Sequence, residues 1–295
     1  MSPAQGRSLA WLDGRVMELS EARIPVTDHG FLYGDGVFEG MRALRRRIFR
    51  LDDHMRRFAA SARAIALELP GGIEAVRAAL FETLRASGRD DAYIRVIASR
   101  GDGALGVDPT SCQVPRLLCI VDVLRLYPPE KLEAGIDLIT SSYRRPPADV
   151  LDPRVKSLNY LNNALAKLEA RQRGADEALL LGLDGRVAEA SVANVFALRE
   201  GALLTPPAVD GALEGITRRS VLELARAAGI SAREQSLGRI DFFAAEEAFL
   251  TGSGAGIVPI RSLDGRALGA GRPGPVYRQL HAAYLAAVDR LGTPF

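Results

Sequence analysis

The polar and apolar positions of this chain fall into short segments of two periods. Stretches around residues 9 to 12, 37 to 44 and 92 to 99 read as strands. In "DAYIRVIASR" the alternation sets Tyr93, Arg95 and Ile97 on one face and Ile94, Val96 and Ala98 on the other. Helical spacing predicts helices over 53 to 68 and 73 to 87, the first with an apolar stripe at Phe58, Ala62, Ile65 and Leu69. Strands are expected at 136 to 142, 178 to 183, 186 to 189, 194 to 198 and near 247 to 251. Helices are expected at about 158 to 173, 217 to 228 and 275 to 291. The helix after residue 158 carries Leu158, Leu161, Leu165 and Leu168 on one stripe. Lys167 then faces solvent, and Lys156 sits in the entry loop.

Three copies of "LDGR", beginning at Leu12, Leu183 and Leu263, are Asp-Gly turns rather than a domain repeat, because both central residues tolerate positive φ. "LRLYPPEKLEAG", from Leu124 to Gly135, reads as a linker, its paired prolines excluding helix and central strand. The expected organisation is a small N-terminal α/β domain over 1–124, an interdomain loop over 125–134, and a larger domain over 135–295 that carries Lys156. That mixture is of the α+β or α/β class.

Composition narrows the function. With 295 residues, 47% of them apolar and a net charge of +2, the chain is typical of a soluble globular protein and has no nucleic-acid footprint. Even "RALRRRIFR", Arg42 to Arg50, reads as a solvated turn between strands. No run approaches the roughly 18 apolar residues of a spanning helix, and the N-terminus has no apolar targeting core. Cys112, Cys119 and three dispersed histidines indicate neither a metal site nor a disulfide framework. A cytoplasmic, metal-free protein that binds neither nucleic acid nor membrane is expected.

The chain carries nearly all its positive charge on arginine and has lysine only at 131, 156 and 167. Lys156 is therefore either a loop charge or a reagent, since an ammonium, unlike a guanidinium, can lose its proton and bond an aldehyde. Were that aldehyde pyridoxal phosphate, the phosphate would need a helix N-terminus and an arginine, and the ring nitrogen a carboxylate. "LEGITRRSVLELARAAG" offers such a helix, with Thr217 as cap, amides at Gly215, Ile216 and Thr217, an apolar face at Val221, Leu224, Ala225 and Ala228, and Gly229 as the stop. Arg57 is either an inward bidentate phosphate ligand or an edge arginine lying over the core. Glu189, in "RVAEASVANVF", has no sequence-adjacent cation to pair with. "FLTGSGAGIVPI" puts a Gly-Ser-Gly amide surface after a strand. Tyr93 with Arg95 make either a carboxylate reader or an exposed strand face.

Taken in order, "DHGFLYGDGVFEGMR", "RLDDHMRRF", "VKSLNYLNNALAKLEA", "EASVANVF", "LEGITR" and "LTGSGAGIVPI" resemble the fold-type IV pyridoxal-phosphate enzymes over about residues 9 to 285. That family includes branched-chain and D-amino-acid aminotransferases and aminodeoxychorismate lyase. The resemblance implies a two-domain, D-amino-acid-aminotransferase-like architecture with pyridoxal 5'-phosphate as cofactor. It makes Lys156 the Schiff-base lysine and Glu189 the ring-nitrogen partner. It sets Arg57, Ile216, Thr217 and Ser253 on the phosphate, Tyr160 near the phenolic oxygen and Leu213 on the ring. Substrate contacts would come from Phe38, Arg42, Tyr93, Arg95, Ser253 and Gly254. In a homodimer, Tyr33 and Val107 would reach the neighbouring site, with 125–133 as a flap.

"YIR" at Tyr93 to Arg95, with Arg42 after "FEGM", resembles the branched-chain type. The implied reaction is ping-pong transfer from L-leucine, L-isoleucine or L-valine to 2-oxoglutarate. "EASVANVF" in place of "EGSGENIF", and "TGSGAG" without "TAAE", depart from that type. The alternatives are a D-amino-acid or (R)-amine aminotransferase, or the lyase.

Overall fold

The computed structural model describes residues 6–295, which group into two compact units. The first contains the chain up to Leu124 with Val155–Asn159 and Val288–Phe295. The second contains Arg125–Arg154 and Tyr160–Ala287. Among the described residues, no helix is long and apolar enough to cross a membrane.

The first unit holds strands β1 (Leu9–Leu12), β2 (Arg15–Glu18), β3 (Gly36–Leu44), β4 (Arg47–Phe49), β5 (Ala92–Ser99) and β6 (Arg116–Asp122). Its helices are α1 (His29–Tyr33), α2 (Leu51–Ala64) and α3 (Gly72–Ser87). The C-terminal strand Gly292–Pro294 joins an antiparallel sheet in the order C-terminal strand, β4, β3, β5, β6, β1, β2. One face of β3 and β5 buries Val37, Met41, Ala43, Ile94, Val96 and Ala98 with Leu51, Met55 and Phe58 of α2 and Leu80 and Leu84 of α3. The alternation expected in β5 holds. Register pairs Phe38 with Ile97, Gly40 with Arg95 and Arg42 with Tyr93, so the opposite face gathers these side chains.

The second unit holds β7 (Ile136–Arg144), β8 (Glu177–Leu181), β9 (Val187–Ala190), β10 (Asn194–Arg199), β11 (Ala202–Thr205), β12 (Ser231–Glu234), β13 (Glu247–Gly252), β14 (Gly256–Leu263) and β15 (Arg266–Ala267). The helices are α4 (Pro129–Ala134), α5 (Ala148–Leu151), α6 (Leu161–Gln172), α7 (Ile216–Ala227), α8 (Arg239–Phe243) and α9 (Pro275–Leu291), the last of which is counted with the first unit from Val288 onward. Its mixed sheet runs β12, β11, β10, β13, β14, β7, β8, β9, with β15 on β14.

All three Asp-Gly turns form. Asp13 and Gly14, and Asp264 and Gly265, all take positive φ, whereas in the third only Gly185 does. Other expectations are corrected. Residues 129–134 are helical because Pro128 is the N-cap and Pro129 the first helical residue, where no amide donor is needed. The segment is tied down within its own unit, Tyr127 Oη donating to Glu177 at 2.9 Å and Lys131 Nζ to Asp176 at 2.7 Å. Helix α6 begins at Leu161 and buries Asn163, Ala166 and Ala170, leaving Leu161 70% and Leu168 52% exposed, so the leucine stripe is not the buried face. Lys167 is not solvated: its Nζ donates to Glu177 Oε2 at 2.8 Å and to the Asp176 carbonyl at 2.6 Å. Lys156, expected with the C-terminal domain, belongs to the first unit because its segment is hydrogen-bonded to β3.

Candidate active site

In the first unit, β3 sends chemistry to both of its faces. The Phe38 amide donates to the Lys156 carbonyl and the Leu158 amide to the Gly36 carbonyl, each at 2.9 Å, and the Lys156 amide donates to Ser61 Oγ at 3.1 Å. The backbone of Lys156 is therefore fixed from two elements, while its half-buried side chain puts Nζ 4.3 Å from the centre of the Phe38 ring. The Arg95 guanidinium lies 4.3 Å from the same ring. Arg95 Nε is buried and has no hydrogen-bond partner. A Cβ at Gly40 would stand 2.3 Å from Tyr93 Oη, so glycine there leaves room for the tyrosine hydroxyl.

Glu39 points to the helix side and is fully buried. Arg57 grips it side-on, Nε to Oε1 at 2.7 Å and Nη2 to Oε2 at 2.9 Å, and His54 Nδ1 donates to Oε2 at 2.7 Å. Burial alone would raise the Glu39 carboxyl. The Arg57 guanidinium, then His54, outweigh it and hold the group well below the usual carboxylate range. Burial lowers His54 against the pull of Glu39, and the Arg57 and Lys156 charges add to the lowering. Glu39 and His54 carry no signal in the sequence that marks them as partners of Arg57, because they meet it only through the β3–α2 packing.

In the second unit, Glu189 on β9 is paired after all. Arg145, just past the end of β7, donates from Nη2 to Oε1 at 2.7 Å. The Leu213 amide and Asn194 Nδ2 each donate to Oε2 at 3.0 Å. The cation comes from 44 residues away in sequence, which is why adjacency does not reveal it. Asn194 Nδ2 also donates to the Leu213 carbonyl at 2.8 Å, so Leu213 is clamped at both backbone groups.

Helix α7 starts one residue earlier than expected. Gly215 is its N-cap and Thr217 lies inside the first turn, so Thr217 is not the cap. The Gly215 amide is engaged with the Leu213 carbonyl at 2.7 Å. A Cβ on Gly215 would fall 1.9 Å from Asn194 Oδ1, so only glycine fits. Ser253 and Gly254 form the tip between β13 and β14, and Tyr160 immediately precedes α6.

The residues present fit a pyridoxal phosphate. The hydroxyls of Thr217 and Thr251 are buried without a hydrogen-bond partner. Thr217 sits at a helix N-terminus, and Thr251 is the register partner of Asn194. An unmatched hydroxyl at the positive end of a helix, as Thr217 has, suits a phosphate, and Thr251 offers a second unmatched hydroxyl. Thr251 carries no signal of its own in the sequence, where the glycines of the loop that follows stand out instead. Tyr33 Oη accepts from the Gly106 amide at 2.8 Å, and Val107 is 79% exposed.

Comparison with known proteins gives a family. The family model for amino-transferase class IV matches residues 36–263. The putative branched-chain-amino-acid aminotransferase of Methanocaldococcus jannaschii is 43% identical over 92% of this chain and 93% of its own length. The solved branched-chain amino acid aminotransferase of Thermoproteus uzoniensis, with norvaline, superposes with a TM-score of 0.90 at 36% identity, covering 97% of this chain and 99% of that one. A further solved branched-chain amino acid aminotransferase, from T.th., is complexed with N-(5'-phosphopyridoxyl)-L-glutamate. It gives a TM-score of 0.91 at 36% identity over 98% of both chains. The chain belongs to the class IV aminotransferases.

Proposed function

We propose that this protein transfers the amino group of L-leucine, L-isoleucine or L-valine to 2-oxoglutarate. The observation that carries this reading is the β3–β5 face of the first unit. There an apolar ring, Phe38, stands against a guanidinium whose Nε has no partner, with Tyr93 beside it. Such a face accepts an aliphatic side chain on the ring and the carboxylate of glutamate on the guanidinium, the two demands of that reaction. The glutamate derivative held by the T.th. enzyme supports the second half of the reading.

Pyridoxal 5'-phosphate is the cofactor of the family, and when bound it supplies an electron sink for the bond broken at substrate Cα. Lys156 would hold it covalently until the substrate amine takes its place, and the freed Lys156 Nζ would then take the proton from Cα of the amino donor and, in the second half-reaction, deliver one to Cα of the oxo acid. Arg57, oriented by Glu39, and the Ile216–Thr217 turn, Thr251 and Ser253 hold the phosphate. Glu189 receives the ring N–H, Leu213 covers the ring, and Tyr160 faces the phenolic oxygen. Phe38, Arg42, Tyr93, Arg95, Ser253 and Gly254 contact substrate.

The protein acts as a homodimer in which Tyr33 and Val107 serve the neighbouring site. The exposed apolar side chains Phe31, Leu105 and Val107 in the first unit support this. Light scattering giving a monomer mass would refute it. For the chemistry, borohydride reduction of the yellow protein followed by peptide mapping should place the label on Lys156. Glutamate formation from L-leucine and 2-oxoglutarate should vanish in Lys156→Ala. A label elsewhere, or an active Lys156→Ala, would overturn the assignment.

A further inference from the structure

We propose that Arg145 is the positioning residue for Glu189, and that Asn163 in turn sets Arg145. This rests on the reading of Glu189 as partner of the ring nitrogen. The guanidinium is buried and directed by three separate segments. Its Nη2 donates to Glu189 Oε1 at 2.7 Å, Nη1 to Asn163 Oδ1 at 2.9 Å and Nε to the Gly211 carbonyl at 3.1 Å. A planar group fixed at three points cannot rotate without breaking all three contacts.

Asn163 cannot turn its amide over at no cost either. Its Nδ2 donates to the Ser191 carbonyl at 2.6 Å, which forces Oδ1 to face Arg145. On the far side of the carboxylate, the Leu213 amide and Asn194 hold Oε2. Arg145 thus grips Oε1 while two other donors grip Oε2, and the plane of the carboxylate is set between them.

Removing Arg145 would take a charged, 2.7 Å contact from one oxygen and leave the two neutral donors on the other. A carboxylate receiving a ring N–H must present one oxygen along the line of that bond, so its plane matters as much as its charge. Arg145 also lines a cavity of about 350 Å³ with Pro146, Pro147, Asp152 and Asp210. A small cation can therefore reach the space that truncation of Arg145 would create.

The test compares Arg145→Ala, Arg145→Lys, Glu189→Gln and the Arg145→Ala/Glu189→Gln double variant. The readouts are the affinity of the apo-protein for pyridoxal phosphate and the pH titration of the visible absorption of the holoenzyme. Unfolding of each apo-protein is followed alongside. Arg145→Ala is expected to weaken cofactor affinity by about 10- to 100-fold, the usual effect of losing a partner that orients a ligating group. It should move the absorption titration in the same direction as Glu189→Gln. Arg145→Lys, with charge but no fork, should fall between. Added guanidinium ion should restore affinity to Arg145→Ala and not to Glu189→Gln.

In the Glu189→Gln background, Arg145→Ala should change affinity by less than about threefold, because the two act through one contact. An Arg145→Ala protein that loses stability while keeping wild-type affinity and titration would overturn the proposal. So would an effect undiminished in the Glu189→Gln background. If Glu189→Gln itself changes neither readout, the assignment of Glu189 fails, a result distinct from failure of Arg145 alone.

Discussion

Replacing Glu39 by glutamine tests the buried charge network of the first unit. The substitution keeps the side-chain volume and removes the negative charge that three donors share: Arg57 Nε, Arg57 Nη2 and His54 Nδ1. A glutamine offers one carbonyl oxygen to those donors and turns an NH2 toward at least one of them. Breaking a buried pair by removing one partner costs about 3–5 kcal/mol. The Arg57 side chain is 13% exposed and regains some water, so the low end, about 3 kcal/mol, is expected here.

The pH dependence has a definite sign. Glu39 has a depressed folded value, so its contribution is present above the ordinary carboxyl value of 4.5 and is lost as pH falls through the folded value. His54 is also lowered in the fold. The unfolded chain therefore binds its proton first, and stability falls as pH drops below 6.5. Wild-type protein should lose stability in both windows, and Glu39→Gln should lose less in the lower one.

Urea titration of the apo-protein, followed by tryptophan fluorescence, is the assay. Trp11 is the chain's single tryptophan and packs on the first unit's core, so the signal reports that unit. A destabilisation below about 1 kcal/mol at pH 7 would place the network among pairs that add nothing, and would refute the reasoning.

Three further outcomes are expected. Gly40→Ala should push Tyr93 aside and raise KM for the amino donor by about tenfold, with urea stability nearly unchanged; an unaltered KM would remove Tyr93 from the substrate face. Lys167→Met should cost about 3 kcal/mol, because it takes the cation from a fully buried Glu177; denaturation of the second unit by circular dichroism checks this. Burial pushes the Cys119 thiol up to about 12, so a thiol reagent at pH 8 should modify only Cys112 in the native protein and both cysteines once it is unfolded.

What the sequence disclosed divides by distance along the chain. The Asp-Gly hairpins, the two faces of β5 and the start of α7 to within a residue are local matters of turn chemistry and period, and all appear in the structure. The nearness of Phe38, Arg95 and Lys156 is implied in the sequence only by the family resemblance; in the structure β3 and β5 pair in an antiparallel register and the Lys156 segment hydrogen-bonds to β3.

Contacts formed by tertiary packing were hidden. Arg145 reaches Glu189 across strands that no local pattern joins, and Lys167 reads as a surface lysine until Glu177 is set beneath it. The leucines of α6 show a related failure. Their spacing is helical, but the unit buries the smaller side of the helix at Ala166 and Ala170, and periodicity does not tell which side that is. Pro128 and Pro129 read as helix breakers, yet at an N-cap and a first helical position they start a helix.

The most direct test of the proposed function is a half-reaction panel on the purified holoenzyme, mixing it separately with L-leucine, L-glutamate, D-alanine and an (R)-arylamine without any oxo acid. Loss of the yellow absorption with L-leucine and L-glutamate, and little change with the other two, is the expected result. Rapid bleaching by D-alanine or the arylamine with L-leucine inert would contradict the branched-chain assignment.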